Sequence, residues 1–586
     1  MMNSLASSFM HNFSGQLLSR LFSFCINMYL LRRIDSDALG LVNVNLMLFY
    51  STTIFLIREP FRKVFLGSEI PLSVVVTHLW FAPLICPLIA AVLYLCFWLP
   101  FSTPPDASLV PSYTTALSMF AFSAWLESFA EPYVILSLRF GMDAQYAFAQ
   151  SFLVISQRVF ALILITMVPI LPVYAFCFAQ VCSKIPYCMT QMMQTYILNV
   201  AFYGRLNIIT IFTHTDLFPV FCHCTIHCND LQVLSSFCYT ALCIYLLVSG
   251  IRSVAPSIRD FSLVSVYPSF PKAFSKENRS ILGAFTVHSI FKQVVTNGTG
   301  YVLTFTNFFS LSDQAVFDAV DKLGSLVARV IFAPLEHSAY LYFSTCFRRT
   351  TSAKDRIEFI GVCYSTYRFQ TDVKKGVNAM SSLLHIVILV GTVIFIFAIP
   401  YSSLAVKIYG GTVLISNSGA NILRLYSFYI IIIAINGIIE CFAMATMNEK
   451  ELLSHGWFLF FSSPIHIFLS FIFSYAISAY GLILANIITM LMRIAYSWRH
   501  IRRFSRGQIS FLKSLPNFPT ILILFFCLMV TSLSFLIFGE VDGIMHSAAH
   551  VTVGCSLFIF VINHIYQNDL HVAKFLSNKS LGSHNG

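Results

Sequence analysis

Long apolar runs separated by short polar stretches fill the chain from end to end. Runs of this length carry no strand-like alternation, so the pattern predicts helices rather than sheet. A helix that crosses a bilayer needs about 20 mostly apolar residues. Candidate spans lie near 11–31, 40–58, 73–99, 112–138, 144–170, 171–250, 281–309, 314–346, 378–400, 420–447, 455–476, 479–498, 517–538 and 548–566. That predicts about fourteen transmembrane helices, with 171–250 interrupted. Pro132, Gly324, Pro334 and Gly437 punctuate several of them, which membrane helices tolerate where neighbours re-satisfy the backbone.

Composition sharpens this into a class. Of 586 residues, 57% are hydrophobic and 10% charged, and the mean hydropathy is +0.77. Soluble domains carry about 25% charged residues, so this chain cannot cover a water-facing surface of ordinary size. It reads as an all-α, polytopic membrane protein. The net charge of +11 would suggest nucleic acid in a soluble protein. Here cytoplasmic loops rich in Lys and Arg explain it, and we expect no nucleic-acid partner. The 16 cysteines are scattered, many within apolar runs, as buried free thiols are. The first apolar run, near 11–31, lacks a small-residue cleavage site and reads as a span rather than a signal peptide.

Loop charge gives an orientation. The connection at 251–280 holds Arg252, Arg259, Lys272, Lys276 and Arg279, and that at 347–377 holds Arg348, Arg349, Lys354, Arg356, Arg368, Lys374 and Lys375. The 499–516 connection is also basic, whereas 100–111, 401–419 and 539–547 are poor in cations. The alternation fits an even number of spans with both termini in the cytosol. We expect an N-terminal helical bundle over 1–250, a cytosolic basic loop at 251–280, and a C-terminal bundle over 281–586.

Residues 181–232 interrupt this order. "FCHCTIHC" offers Cys222, His223, Cys224, His227 and Cys228, but the spacing is too tight for a familiar zinc site. Removing the segment joins Phe176–Gln180 to Val233–Gly250 as one continuous span. It begins Val-Cys and ends Leu-Gln, which GTATGT and TTGCAG would encode, the usual ends of an intron. The segment is therefore either a genuine insert or a retained intron.

Ionisable groups inside spans cost roughly 2.5–3.5 kcal/mol each on insertion scales and usually face a cavity or a partner. Arg58 and Arg62 share a helix face at the end of "LFYSTTIFLIREPFRK", with Glu59 and Lys63 beside them. Glu127 and Glu131 are again four apart, just before Pro132. Arg20, Arg158, Lys292 and Arg329 add cations, and Asp313, Asp318, Asp321 and Glu440 add acids. For Arg33, Arg62 and Lys63 the alternative is snorkelling to the headgroups. Inward cations suit an anionic cargo, because the Arg fork matches phosphate oxygens. His546 and His550 are four apart but have no third ligand nearby, so a plain helix face is expected there.

"LVNVNLMLFYSTTIFLIREPFRK" resembles the start of the Rft family of lipid-linked oligosaccharide translocation proteins. "LGSLVARVIFAPLEHSAYLYF" (Leu323–Phe343), "YGGTVL" (Tyr409–Leu414), "IIAINGIIECF" (Ile432–Phe442) and "GLILANIITMLMRIAYS" (Gly481–Ser497) are similar too. The resemblance covers nearly the whole chain except 181–232 and the last tail. It implies a fold like that of the MATE and MurJ flippases, two helical bundles around a central cavity, in the endoplasmic reticulum membrane. It implies a role in N-glycosylation, moving Man5GlcNAc2-diphosphate-dolichol from the cytosolic to the luminal leaflet, or assisting later use of that lipid. The family pattern T-E-G-E reads "TNGT" here (Thr296–Thr299), so Asn297 and Thr299 replace two acids.

On this reading Arg58 and Arg62 sit at a cavity mouth and attract the diphosphate. Arg20, Arg158, Lys292 and Arg329 lie deeper, and Glu59, Glu127, Glu131 and Glu440 are acidic partners. No G-x-x-x-x-G-K-[ST] motif occurs, so movement is expected to be ATP-independent, without cofactor or metal and without enzymatic chemistry. The expected partners are the dolichol-linked oligosaccharide, membrane lipids and the N-glycosylation enzymes. The rival readings are a non-transporting accessory that binds the lipid or the glycosylation machinery, and a cation-coupled small-molecule antiporter using Glu127, Asp318 or Glu440.

Overall fold

The computed structural model describes residues 22–66, 78, 80–139, 143–203, 276–336, 338–340, 342–343, 362–416, 418–505, 511–539, 543–569 and 572. Among them there is no strand. Among the described residues, nine helices are long and apolar enough to cross a membrane: Ser36–Phe65, Phe81–Phe101, Phe148–Met167, Gly376–Gly410, Gly419–Thr446, Lys450–Ile477, Ala479–Phe504, Phe518–Phe538 and Ile544–Asn568. Further helices cover 22–33, Tyr113–Ser128, Glu131–Arg139, Pro172–Tyr203, Lys276–Phe305 and Leu311–Val327. We number the helices in chain order: α1 (22–33), α2 (Ser36–Phe65), α3 (Phe81–Phe101), α4 (Tyr113–Ser128), α5 (Glu131–Arg139), α6 (Asp143–Met167), α7 (Pro172–Tyr203), α8 (Lys276–Phe305), α9 (Leu311–Val327), α10 (Val362–Gly410), α11 (Gly419–Thr446), α12 (Glu449–Ile477), α13 (Ala479–Phe504), α14 (Phe518–Phe538) and α15 (Ile544–Asn568).

The chain forms two compact units, one of residues 1–26 and 49–293, the other of 27–48 and 294–586. Helices α1, α2 and α8 therefore each change unit along their length. The first unit thus includes 281–293 and the second includes 27–48.

In the first unit, Phe49 meets Trp98 edge-on at 5.0 Å. Ala130, Ala149, Leu153, Tyr187 and Cys188 form a buried cluster where α6 and α7 meet the α4–α5 break. Small side chains at 130 and 149 let these helices approach closely, the usual way membrane helices gain packing without a hydrophobic drive. Helix α4 starts at Ser112, whose hydroxyl accepts from the Thr115 N–H at 3.4 Å. It stops before Pro132, which lacks an N–H and cannot continue the ladder.

Helix α7 runs from Pro172 to Tyr203 through the Gln180–Val181 junction, with Ser183, Lys184, Tyr187 and Gln191 buried. Residues 204–232, the "FCHCTIHC" stretch among them, lie outside the described residues.

In the second unit, capping boxes open α9 (Ser310 with Asp313) and α12 (Asn448 with Glu451), each satisfying two orphan N–H groups. A buried core of Leu389, Val393, Ile396, Leu524, Cys527, Val561 and Ile565 joins α10, α14 and α15. The opposite faces of α14 and α15 expose Phe518, Leu522, Phe525, Leu536, Ile544 and Ile559, as lipid-facing helices do. Helix α8 kinks at Asn297, whose φ/ψ leave the helical region. Just beyond, Thr299 donates to Asn486 at 3.2 Å. The two positions where the family pattern has acids thus hold a helix kink and a neutral hydrogen bond.

His550 corrects one expectation. It is buried rather than on a plain helix face: its ring stacks on Tyr401 at 4.1 Å and its Nδ1 meets the Ser534 hydroxyl at 2.8 Å. Among the described residues, no group of three His, Cys, Asp or Glu side chains is placed to hold a metal.

Candidate anion-binding site

The first unit buries a charged cluster where α2, the α4–α5 break and α7 meet. The register of α2 puts Tyr50, Arg58 and Arg62 along one face, since positions four and eight apart are neighbours. Glu127 ends α4 and Glu131 opens α5, so the break before Pro132 brings both carboxylates toward that face. Glu131 also lies in the first turn of its helix, where the helix dipole favours a negative charge.

Both carboxylates are 1% exposed. Arg58 pairs with Glu127 and with Glu131. Arg62 forks onto Glu131, Nη2 at 2.8 Å and Nε at 3.0 Å. Its Nη1 donates to the Tyr146 hydroxyl at 3.0 Å. Lys184 of α7, 2% exposed, reaches Glu127 at 2.6 Å and donates to the Tyr50 hydroxyl at 2.7 Å. Tyr50 in turn donates to Glu127. Three cations face two carboxylates, a formal surplus of one positive charge. Buried charges persist only when paired and hydrogen-bonded, and each of these is.

Sequence reasoning singled out Arg58, Arg62, Glu127 and Glu131, and the structure brings them together. It missed Lys184, because residues 181–232 were set aside as foreign. The signal was a single Lys inside the apolar run "FAQVCSKIPYC". It also missed Tyr50 and Tyr146, which carry no charge to flag them.

The expected order of depth changes. Arg58 and Arg62 are only 16% and 18% exposed, whereas Lys292 is 46% exposed. The buried carboxylates draw the two arginines inward. Lys292 instead reaches Glu59 at 2.6 Å, and Glu59 also meets Lys63 at 3.5 Å. Glu59 therefore serves the lysines and not Arg62. Arg158 is half-buried on α6, and Arg20 lies outside the described residues.

In the second unit, Arg329 is exposed and turns back on its own helix, donating to the Lys322 carbonyl at 3.0 Å and the Ser325 hydroxyl at 2.6 Å. Glu440 pairs with Arg493, whose Nη2 lies 2.7 and 2.9 Å from its two oxygens. Asn436 donates to Glu440 at 2.9 Å. Arg493 was not singled out from the sequence, although it sits in "ANIITMLMRIAYS".

The sequence matches a known family. The family model "Rft protein" matches residues 4–579. The chain is 36% identical over 580 residues, 97% of this chain and 97% of the other, to a Caenorhabditis elegans protein named Man(5)GlcNAc(2)-PP-dolichol translocation protein RFT1. It is 31% identical to the Mus musculus protein of that name, covering 84% of this chain and 80% of the other. Among solved structures, the fold is similar to that of a lipid II flippase MurJ, with TM-score 0.57 and 12% identity over 95% of this chain and 99% of that one. It is also similar to an inward-facing multidrug resistance MATE family transporter, with TM-score 0.52 and 10% identity over 86% of this chain and 100% of that one. The chain belongs to the Rft protein family and has the fold of the MurJ and MATE transporters.

Proposed function

We propose that this protein translocates the lipid-linked oligosaccharide Man5GlcNAc2-diphosphate-dolichol across the endoplasmic reticulum membrane, from the cytosolic to the luminal leaflet. The observation that carries the reading is the buried cluster of Arg58, Arg62 and Lys184 against Glu127 and Glu131, in a chain whose relatives are named for moving this lipid. An anion has to exchange with the carboxylates to bind there. Arg62 already presents the bidentate geometry that a phosphate oxygen pair requires. The formal surplus of one cation draws the diphosphate in, while the glycan stays in water and the dolichol in lipid.

Alternation between two access states then carries the headgroup across. Without a nucleotide-binding motif, net flow follows the lipid's gradient and its consumption on the far side. The basic connections and both termini face the cytosol on this reading. The start of the membrane-crossing stretch of α10 (Gly376–Gly410), the 511–514 turn and the end of α15 lie together in their unit: Ser381 meets Ser514 at 3.0 Å and His385 meets Asp569 at 2.7 Å. That common placement supports the orientation.

A second reading keeps the binding and drops the movement. It is favoured by the depth of the ion pairs, since both arginines are already committed to carboxylates that are 1% exposed. Such a protein would hold the lipid for the glycosylation enzymes. A cation-coupled antiporter is less well supported, because Glu440 is held by Arg493, Glu127 by Arg58 and Lys184, and Asp318 by Lys322.

The test is exchange of labelled Man5GlcNAc2-diphosphate-dolichol between leaflets of liposomes that contain the purified protein and no nucleotide. Exchange faster than in protein-free liposomes supports translocation. Binding without exchange moves the assignment to the accessory role.

A further inference from the structure

Helix α2 carries a second set of charges on the neighbouring face. Glu59 and Lys63 follow Arg58 and Arg62 by one residue each, a rotation of about 100° around the helix. They meet α8 in an antiparallel ladder. Lys63 Nζ lies 3.0 Å from His288 Nδ1, Lys292 Nζ 2.6 Å from Glu59 Oε1, and Gln293 donates to Thr52 at 3.1 Å. Every one of these residues belongs to the first unit.

Two features set this ladder apart from a simple salt bridge. Both ammonium groups converge on one carboxylate oxygen, Glu59 Oε1, at 2.6 and 3.5 Å. One carboxylate oxygen is thus shared by two ammonium groups. In addition, Lys63 donates to the imidazole Nδ1, which leaves the His288 proton on Nε2 as a further donor. Each lysine also lies over an aromatic ring, Lys63 over Phe285 at 5.8 Å and Lys292 over Phe55 at 5.7 Å. The group is accessible: Lys292 is 46%, Lys63 28% and Glu59 20% exposed.

We propose that Lys63, His288 and Lys292 form a phosphate-docking station, with Glu59 Oε1 standing where a phosphate oxygen binds. The station accepts a diphosphate group, from a lipid headgroup or from free pyrophosphate. It deepens the translocation reading and rests on it for its place in transport. Exchange of Glu59 for a phosphate is the easier one, because its ion pairs are partly exposed. Exchange at Glu127 and Glu131 breaks buried pairs, which is far more costly. The headgroup therefore docks first on the Glu59–Lys63 face of α2 and passes to the Arg58–Arg62 face of the same helix.

The experiment is calorimetric titration of inorganic pyrophosphate into the purified full-length protein, as wild type, Glu59→Gln, and Lys63→Met with Lys292→Met. Removing the resident carboxylate charge is expected to tighten binding about fivefold, the change that about 1 kcal/mol produces. The double lysine variant is expected to weaken it by about tenfold or more. A misfolded variant cannot mimic the tightening. Binding within about twofold of wild type in both variants would overturn the station and leave a helix clasp. In a second arm, nanodiscs containing dolichyl diphosphate compete with pyrophosphate. Displacement supports the lipid headgroup as the natural ligand, and pyrophosphate binding without displacement overturns that assignment. If the variants behave as expected but liposomes show no exchange, the station stands and the translocation reading falls.

Discussion

Glu127→Gln is the substitution whose cost follows most directly from the structure. The carboxylate is 1% exposed and holds Arg58, Lys184 and the Tyr50 hydroxyl. The amide keeps the shape and an acceptor for Tyr50 but no charge. Arg58 retains Glu131, whereas Lys184, 2% exposed, loses its anion. Stranding one partner of a buried pair costs about 3–5 kcal/mol. The retained Glu131 contact puts this variant at the lower end, about 3 kcal/mol. Lys184→Met should cost less, about 1–2 kcal/mol, since Glu127 keeps Arg58 and Tyr50. In the double variant no ammonium is stranded, so the pair should be less costly than the sum by about 2 kcal/mol. Reversible unfolding in mixed micelles, run as a double-mutant cycle, measures this. A Glu127→Gln cost below about 1 kcal/mol, or additivity within about 0.5 kcal/mol, would refute the assigned pairing.

Three further outcomes follow from particular contacts. A Cβ at Gly481 would land on the backbone of Phe473 and Ser474, which cannot swing aside, so Gly481→Ala should cost about 1–3 kcal/mol in the same unfolding assay. Arg493→Leu should cost about 2 kcal/mol, because Glu440, 17% exposed, loses the one guanidinium nitrogen that bridges both its oxygens, and Arg493→Lys should recover part of that by restoring the charge. Deleting residues 181–232 joins Gln180 to Val233 and leaves a continuous apolar run of span length. That variant loses Lys184 from the charge cluster and Tyr187 and Cys188 from the buried core, so it should aggregate on gel filtration. A monodisperse, folded product would show that the segment is dispensable to the unit.

The helical architecture was legible because span length and apolar runs are local properties. The acidic half of the site was legible for the same reason: Glu127 and Glu131 flank a proline break, and Arg58 and Arg62 share a face by spacing alone. Depth was not legible. Whether a cation near the end of a span lies inward or outward depends on the carboxylate it meets, and that carboxylate comes from another helix. Glu59 illustrates this. It is adjacent to Arg58 in sequence, yet one residue of helical rotation commits it to Lys292, 233 positions away. Arg493 escaped because its partner Glu440 lies 53 positions back, on a different helix. Lys184 escaped because the segment that supplies it looked unlike a span. His550 was misread because two histidines four apart give no hint of Tyr401 and Ser534 packed around the second.

The central claim is that a diphosphate takes the place of a carboxylate on Arg58 during translocation. The most direct test measures two quantities on the same preparations of wild type and Arg58→Ala: binding of Man5GlcNAc2-diphosphate-dolichol in nanodiscs, and its exchange between leaflets in nucleotide-free liposomes. The account predicts measurable exchange by the wild type and a fall of about tenfold or more in the variant, the loss of a charge-assisted contact worth about 1.4 kcal/mol or more. Wild-type protein that binds the lipid and never exchanges it, or a variant that exchanges it at the wild-type rate, would contradict the account.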